Sequence, residues 1–207
     1  MQSQNLRAKI LLIGDGGVGK TAFRHAWFGG TFTPQYLMTI GADFASKEIS
    51  YYHYSTKKKY YFRYQIWDLA GQPRFKAVRD LYYRGAVGAL CFFDITNQGS
   101  FLNLVNWIKS YWKLNGQGTR PLIIVGAKTD LRGDPTFPGQ VAPDYGTKYA
   151  RDLTELVQQK YGFTIHYIET SAKENINVDK TFRLLSMEII NSLIHKKKIV
   201  NQSVMNV

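Results

Sequence analysis

Cysteine is almost missing from this chain. The one thiol, Cys91, lies inside the apolar run Ala89-Leu90-Cys91-Phe92-Phe93. A lone cysteine builds no disulfide frame, and this setting predicts a buried small hydrophobe rather than a reactive thiol. The expected compartment is reducing and cytoplasmic. Long apolar runs are missing too. None approaches the ~18–20 residues that a membrane span needs, and Met1-Gln2-Ser3-Gln4-Asn5 is too polar for the core of a signal peptide. The four histidines, His25, His53, His166 and His195, share no ligand spacing, so neither zinc nor catalytic chemistry is expected of them. No Ser-His-Asp or paired-carboxylate arrangement is visible. No repeat, low-complexity block or linker-like stretch divides the 207 residues, so one domain is expected.

Acid is scarce relative to base. Asp and Glu number 15 against 27 Lys and Arg, a net charge of +12. Two lysine clusters stand out, Lys57-Lys58-Lys59 and Lys196-Lys197-Lys198. The first reading of each is a solvated loop or tail; attraction to anionic lipid is the second. No aromatic-interleaved motif or zinc pattern accompanies them, so nucleic acid is not an expected partner.

What is present centres on Gly14-Asp15-Gly16-Gly17-Val18-Gly19-Lys20-Thr21. It follows the apolar run Ile10-Leu11-Leu12-Ile13, read as a buried strand, and precedes a helical pattern over Ala22 to Phe28 that Gly29-Gly30 stops. Strand, glycine-rich turn and helix are the context in which GxxxxGK[ST] binds phosphate. Glycines let successive N–H groups point inward at an anion, and the helix adds the positive end of its dipole. Lys20 would bring a charge to the terminal phosphates and Thr21 a hydroxyl ligand for Mg²⁺. The same letters spell GxGxxG, a dinucleotide fingerprint. That motif wants an acid about 20 residues on, where Pro34 to Thr39 has none, and it has no use for Lys20-Thr21.

Downstream, Thr31 to Gly41 reads as a loop. Asp43 to Tyr54 and Lys59 to Trp67 read as a hairpin of two antiparallel strands. Ala86 to Ile95 is a continuous apolar run suited to a strand buried on both faces. Strands at Pro121 to Ala127 and Phe163 to Glu169 then alternate with helices. The apolar faces of those helices are expected to be Phe101, Leu104, Val105, Ile108 and Trp112; Tyr149, Leu153, Leu156 and Val157, with Asp144 as cap; and Val178, Phe182, Leu185, Ile189 and Leu193. Such alternation predicts an α/β fold, a mostly parallel sheet covered on both faces, with ligands at the carboxyl ends of its strands.

Three more motifs fall at predicted strand ends. In Trp67-Asp68-Leu69-Ala70-Gly71-Gln72, Asp68 can reach Mg²⁺ through water, Gly71 offers an unobstructed N–H to a γ-phosphate, and Gln72 is placed to orient an attacking water. In Ala127-Lys128-Thr129-Asp130, a carboxylate can accept from the N1–H and 2-amino group of guanine. In Glu169-Thr170-Ser171-Ala172-Lys173, backbone could meet the guanine carbonyl.

With these residues the chain resembles the Ras superfamily of small GTPases over about residues 7 to 194, and the Rab branch most closely. Branch similarity rests on Thr39-Ile40-Gly41-Ala42-Asp43-Phe44, Gln65-Ile66-Trp67-Asp68, Gly71-Gln72-Pro73-Arg74-Phe75 and Tyr82-Tyr83-Arg84-Gly85-Ala86. The resemblance implies a P-loop GTPase domain with a six-stranded sheet, one edge strand antiparallel, between short flexible tails at 1–6 and 195–207. It implies a guanine nucleotide wrapped by Asp15, Gly16, Gly17, Val18, Gly19, Lys20, Thr21 and Ala22. Phe32 would lie against the base and Tyr36 over the phosphates. Lys128, Asp130, Ser171, Ala172 and Lys173 would read the base, and Thr21, Thr39 and Asp68 would hold Mg²⁺. Gln72, with Lys20 and Gly71, would carry slow GTP hydrolysis. Residues 31 to 44 and 70 to 82 would be switches for effector, exchange and activating proteins. Phe44, Trp67 and Tyr82 match the aromatic triad turned toward effectors, with core packing an equal reading. A monomer is expected.

Three positions depart from the family pattern. Ala127 replaces an Asn (sometimes Thr) whose side chain bonds both base and phosphate loop. Pro73 replaces a Glu that assists nucleotide exchange. Ser203-Val204-Met205-Asn206-Val207 holds no prenylation cysteine, so any membrane contact is expected from the lysine clusters or a partner. Ala127 and Pro73 motivate an alternative, a scaffold that holds nucleotide without cycling.

Overall fold

The computed structural model describes residues 4–30, 39, 41–72, 80–116 and 118–205, the last six of these as backbone only. The elements, in chain order, are β1 (Gln4–Gly14), α1 (Lys20–Trp27), β2 (Ala42–His53), β3 (Lys58–Leu69), β4 (Gly88–Asp94), α2 (Gln98–Leu102), α3 (Leu104–Leu114), β5 (Leu122–Ala127), a 3₁₀ turn at Thr129–Leu131, α4 (Pro143–Tyr161), β6 (His166–Thr170) and α5 (Val178–Met205). They build a six-stranded sheet in the order β2-β3-β1-β4-β5-β6. Every neighbouring pair is parallel except β2 with β3, so the antiparallel strand forms an edge, as the hairpin pattern predicted.

Burial explains the two kinds of strand sequence. All seven residues of β4 and all six of β5 are buried, because helices cover both faces. In β3, Tyr60, Phe62, Tyr64 and Ile66 are buried while Tyr61, Arg63 and Gln65 face outward. There only one face is covered, and the side-chain period of two shows through. The covering layer on that side is α1 and α5: Phe23 and Trp27 pack with Phe182, whose ring stacks on Trp27 at a centroid distance of 3.6 Å. The opposite face holds α3 and α4 through Leu104, Trp107, Ile108, Tyr111, Ala150 and Val157.

Several helix details differ from the sequence expectation. The pattern near Phe101 divides into two helices at Asn103, and Asn97 caps the first by accepting from the Ser100 backbone N–H at 3.2 Å. The buried face of α3 includes Trp107 and Tyr111, while Val105 is exposed. In α4, Gly146, Ala150 and Val157 form the buried ladder; Leu156 lies about 100° around the helix from Val157 and is exposed. Leu193 is likewise exposed. Asp144 does not cap α4. Pro143 takes the first helical position, where its missing N–H costs nothing and its fixed φ suits the helix, leaving Asp144 inside the first turn. Regular structure also passes the expected limits of 7 and 194: β1 begins at Gln4 and α5 runs to Met205, so most of the segment 195–207 is helical.

Candidate functional site

The end of β1 turns sharply into α1. A Cβ on Gly14 would lie 2.3 Å from the Phe92 carbonyl oxygen, and Gly14, Gly17 and Gly19 all have positive φ, so this path is open to glycine and closed to most other residues. No side chain caps α1, and no acid occupies its first turn. Its leading N–H groups and the positive end of its dipole are therefore left for an external anion. The Lys20 ammonium is drawn back over the loop, donating to the carbonyls of Gly14 at 2.8 Å and Asp15 at 2.7 Å. The Asp15 side chain turns away from the loop. Its Oδ1 accepts from Asn103 Nδ2 at 2.6 Å and Trp107 Nε1 at 2.7 Å, which ties the loop to α3. These two anchors carried no sequence signal of their own, because they are 88 and 92 residues from Asp15.

One turn into the site, Thr21, Thr39 and Asp68 converge. Thr21 Oγ1 donates to Asp68 Oδ2 at 2.5 Å and lies 3.0 Å from Thr39 Oγ1. Asp68 is fully buried, and its Oδ1 has no hydrogen-bond partner among the described residues. Burial pushes the carboxyl above its usual range, against the Thr21 hydroxyl and the charges of Lys20 and Arg24. Two hydroxyls and an orphaned carboxylate oxygen form a hard-oxygen set that fits Mg²⁺ bound with several waters.

Arg24 was not foreseen. One turn after Thr21 on α1, it is almost fully buried, pairs with Asp43 and places Nε 3.9 Å from Asp68 Oδ2. The available signal was a basic residue between the buried Phe23 and Trp27 on an otherwise apolar helix face.

Gly71 and Gln72 close the phosphate side. A Cβ on Gly71 would come within 2.3 Å of Asp15 and Gly16 backbone atoms, so the chain here lies directly against the loop. The Gln72 amide reaches over it: a Cβ on Gly16 would be 3.3 Å from Gln72 Nε2. Phe32, Tyr36, Pro73, Arg74 and Arg79 fall outside the described residues.

The remaining motifs meet at the carboxyl ends of β5 and β6. Ala127 is buried beside the loop, its Cβ 3.7 Å from where a Cβ on Gly19 would stand. Lys128 adopts a left-handed backbone, φ 68°, and pairs with Asp94 at 2.6 Å. Asp130 Oδ1 accepts from Ser171 Oγ at 2.6 Å. Ala172 and Lys173 occupy the turn closed by paired backbone bonds between Ser171 and Ile176. Glu169 fastens the two loops together, accepting from Tyr167 and Thr129 hydroxyls at 2.7 and 3.1 Å and pairing with Arg132.

On the β2–β3 face, the Trp67 ring lies 5.1 Å from that of Phe44 and 5.1 Å from that of Tyr82. Phe44 is 48% exposed, while Trp67 and Tyr82 are partly buried and pack against the core under α3 and α4, so the row is open at one end and joined to the core at the other.

A profile of the Ras family matches residues 9–191. The chain is 37% identical over 182 residues to bovine Ras-related protein Rab-27B, covering 86% of this chain and 77% of that protein. It is 39% identical over 180 residues to human Ras-related protein Rab-3D, covering 86% and 71%. To bovine Ras-related protein Rab-13 it is 35% identical over 182 residues, covering 88% and 79%.

Proposed function

Because this chain belongs to the Ras family and is a Rab-like small GTPase, we propose that it cycles between GTP- and GDP-bound forms through the residues gathered around the phosphate loop. The observation that carries this reading is the convergence of Thr21, Thr39 and Asp68, with Gln72 held against Gly16. On binding GTP, the Lys20 ammonium leaves the Gly14 and Asp15 carbonyls for the terminal phosphates. Backbone N–H groups from Gly16 to Ala22 meet the remaining phosphate oxygens. Mg²⁺, held by the Thr21 and Thr39 hydroxyls and through water by Asp68, would neutralise charge on the β- and γ-phosphates. Gly71 N–H contacts the γ-phosphate, and the Gln72 amide orients the water that attacks it. Asp130 accepts from the guanine N1–H and 2-amino group, supported by Ser171; Lys128, Ala172 and Lys173 frame the base with Phe32, and Tyr36 covers the phosphates.

Hydrolysis is slow without a partner, on the order of 10⁻⁴ to 10⁻³ s⁻¹ as in related GTPases. Loss of the γ-phosphate frees Thr39 and Gly71, and residues 31 to 44 and 70 to 82 relax. The row Phe44, Trp67 and Tyr82 spans the ends of both segments, where an effector can read their state. Exchange and activating proteins are the other expected partners, the working form is a monomer, and the lysine clusters supply peripheral contact with anionic membrane. Among the described residues no helix is long and apolar enough to cross a membrane.

Ala127 favours one competing reading, a nucleotide holder that does not turn over. Denaturing the purified protein identifies any bound base, and refilling with GTP and Mg²⁺ measures phosphate release. Bound guanine nucleotide, with release that falls in Gln72→Leu while binding persists, is the expected result. Retained GTP with no release in either protein selects the static holder.

A further inference from the structure

Arg24 takes no part in the cycle proposed above, yet it is buried beside the residues assigned to Mg²⁺. It lies on the face of α1 that carries Phe23 and Trp27 into the core, where an apolar side chain would meet no desolvation cost. Its guanidinium faces two ways. Nη2 donates to Asp43 Oδ2 at the start of β2, and to His25 Nε2 at 3.1 Å. Nε is buried, has no hydrogen-bond partner among the described residues, and lies 3.9 Å from Asp68 Oδ2. That oxygen accepts from Thr21 Oγ1 at 2.5 Å, while Oδ1 of the same carboxylate is the orphan.

The two carboxylates do not share this charge equally. Asp43 is half-exposed, so water screens its pairing with Arg24, whereas Asp68 is fully buried and feels the guanidinium through a poorly screening interior. In the proposed cycle Lys20 moves to the terminal phosphates, and Arg24, held by Asp43, remains as the fixed cation beside Asp68. Bracing α1 against β2 does not require that charge. Lys47 ties the same two elements, its Nζ donating to the Trp27 carbonyl and lying 4.5 Å over the Trp27 ring.

We infer that Arg24 is a positioning residue that tunes the metal site: its fixed charge weakens the hold of Asp68 on Mg²⁺ and offsets that buried carboxylate when the metal is away, so that nucleotide is retained with less dependence on Mg²⁺. The inference rests on the set Thr21, Thr39 and Asp68 of the proposed function. Linkage ties its two effects together. The factor that Arg24 takes from Mg²⁺ affinity must reappear in how much Mg²⁺ strengthens nucleotide binding. The test loads the full chain with fluorescent GDP, lowers free Mg²⁺ with a chelator, and takes the midpoint at which release accelerates. Arg24→Met, unbranched and apolar, should lower that midpoint about tenfold and release GDP about tenfold faster in chelator, whereas Arg24→Lys should stay within about threefold of the parent. Asp43→Asn leaves the guanidinium to Asp68 alone and should raise the midpoint about threefold. Opposite shifts are the signature of charge, because a structural brace would be lost in both variants and move both midpoints alike. Should Arg24→Met not fold, the direction of the Asp43→Asn shift decides alone. A parent that responds to Mg²⁺, with both variants unchanged or shifted the same way, overturns the inference and leaves the GTPase cycle standing. If neither the parent nor Arg24→Met responds to Mg²⁺, the metal set itself fails and the inference falls with it.

Discussion

The two halves of the nucleotide cleft are built by different means. On the proposed phosphate side the structure offers backbone: a glycine path out of β1, an uncapped helix start, and side chains that touch that backbone at short range. On the proposed base side it offers side chains carried by separate loops, with Asp130 bonded to Ser171 and both loops held by Glu169. Among the groups expected to touch nucleotide directly, the departure from the family pattern falls on the second half. Every phosphate-side group the motif requires is in place, whereas Ala127 occupies the position from which the family's Asn would bridge base and loop. A backbone cradle is hard to change one residue at a time, because each glycine is fixed by steric contact. A side-chain reader can lose one member and keep its shape.

The comparison breaks most severely at Lys20. Lys20→Met removes the charge that the uncapped helix start cannot replace, and should weaken both GTP and GDP by roughly two to three decades, about 3–4 kcal/mol for truncating one partner of a desolvated charge pair. Equilibrium titration with fluorescent nucleotide checks this, with thermal melting to show that loss of the bonds to Gly14 and Asp15 has not unfolded the loop.

On the base side the counterpart is Asp130→Asn. The amide presents a donor where guanine also donates, so GTP affinity should fall by about a hundredfold while xanthosine triphosphate becomes the better ligand. Competition between the two triphosphates reads the exchange of preference. An unchanged GTP preference would remove Asp130 from base reading.

Between these lies a substitution that separates binding from chemistry. A side chain on Gly16 meets the Gln72 amide, the Cβ alone at 3.3 Å from Nε2. Gly16→Val should displace Gln72 by about an ångström and slow single-turnover phosphate release about tenfold to a hundredfold, with nucleotide affinity little changed. Equal release rates would mean that the Gln72 position seen here is not the reactive one.

How much of this was legible follows the same division. The phosphate loop, Thr21, Asp68 and Gln72 carried local signals because each follows the end of a strand with a clear apolar pattern, and neighbouring parallel strands bring their carboxyl ends together, so that Thr21 meets Asp68 from 47 residues away. The sheet could be read too, since the continuous apolar run of β4 announces double burial and the β2–β3 pattern a hairpin. Asn103 and Trp107 could not, because nothing local says which strand-end loop a side-chain amide or indole N–H will meet about 90 residues away. Arg24 was hidden differently: its charge argued for solvent, and only the pairing with Asp43 beside Asp68 accounts for its burial. Val105, Leu156 and Leu193 were misplaced because hydrophobicity marks a face only to within one residue's rotation.

The smallest expected effect is also the one that bears most directly on the difference between the two halves. Ala127→Asn would restore a polar side chain beside Gly19, at a position whose Cβ stands 3.7 Å from the loop's own Cβ direction. The backbone there is already committed: the Ala127 carbonyl accepts from the Ile95 N–H at 3.1 Å, so the new amide has to find its partners forward, on the loop and the base. If one such hydrogen bond forms, guanine nucleotide should bind about tenfold more tightly, near 1.4 kcal/mol, and dissociate correspondingly more slowly. Hydrolysis per bound GTP should stay the same, because Gln72 and Gly71 are on the other half. Dissociation of fluorescent GDP, measured for parent and variant with Mg²⁺ present, decides it. A slower rate would show that the base side is weakened by one missing bond. An unchanged rate would show that Asp130, Lys128 and the Ser171 turn hold the base without it, and that the loss at position 127 is already compensated within the cleft.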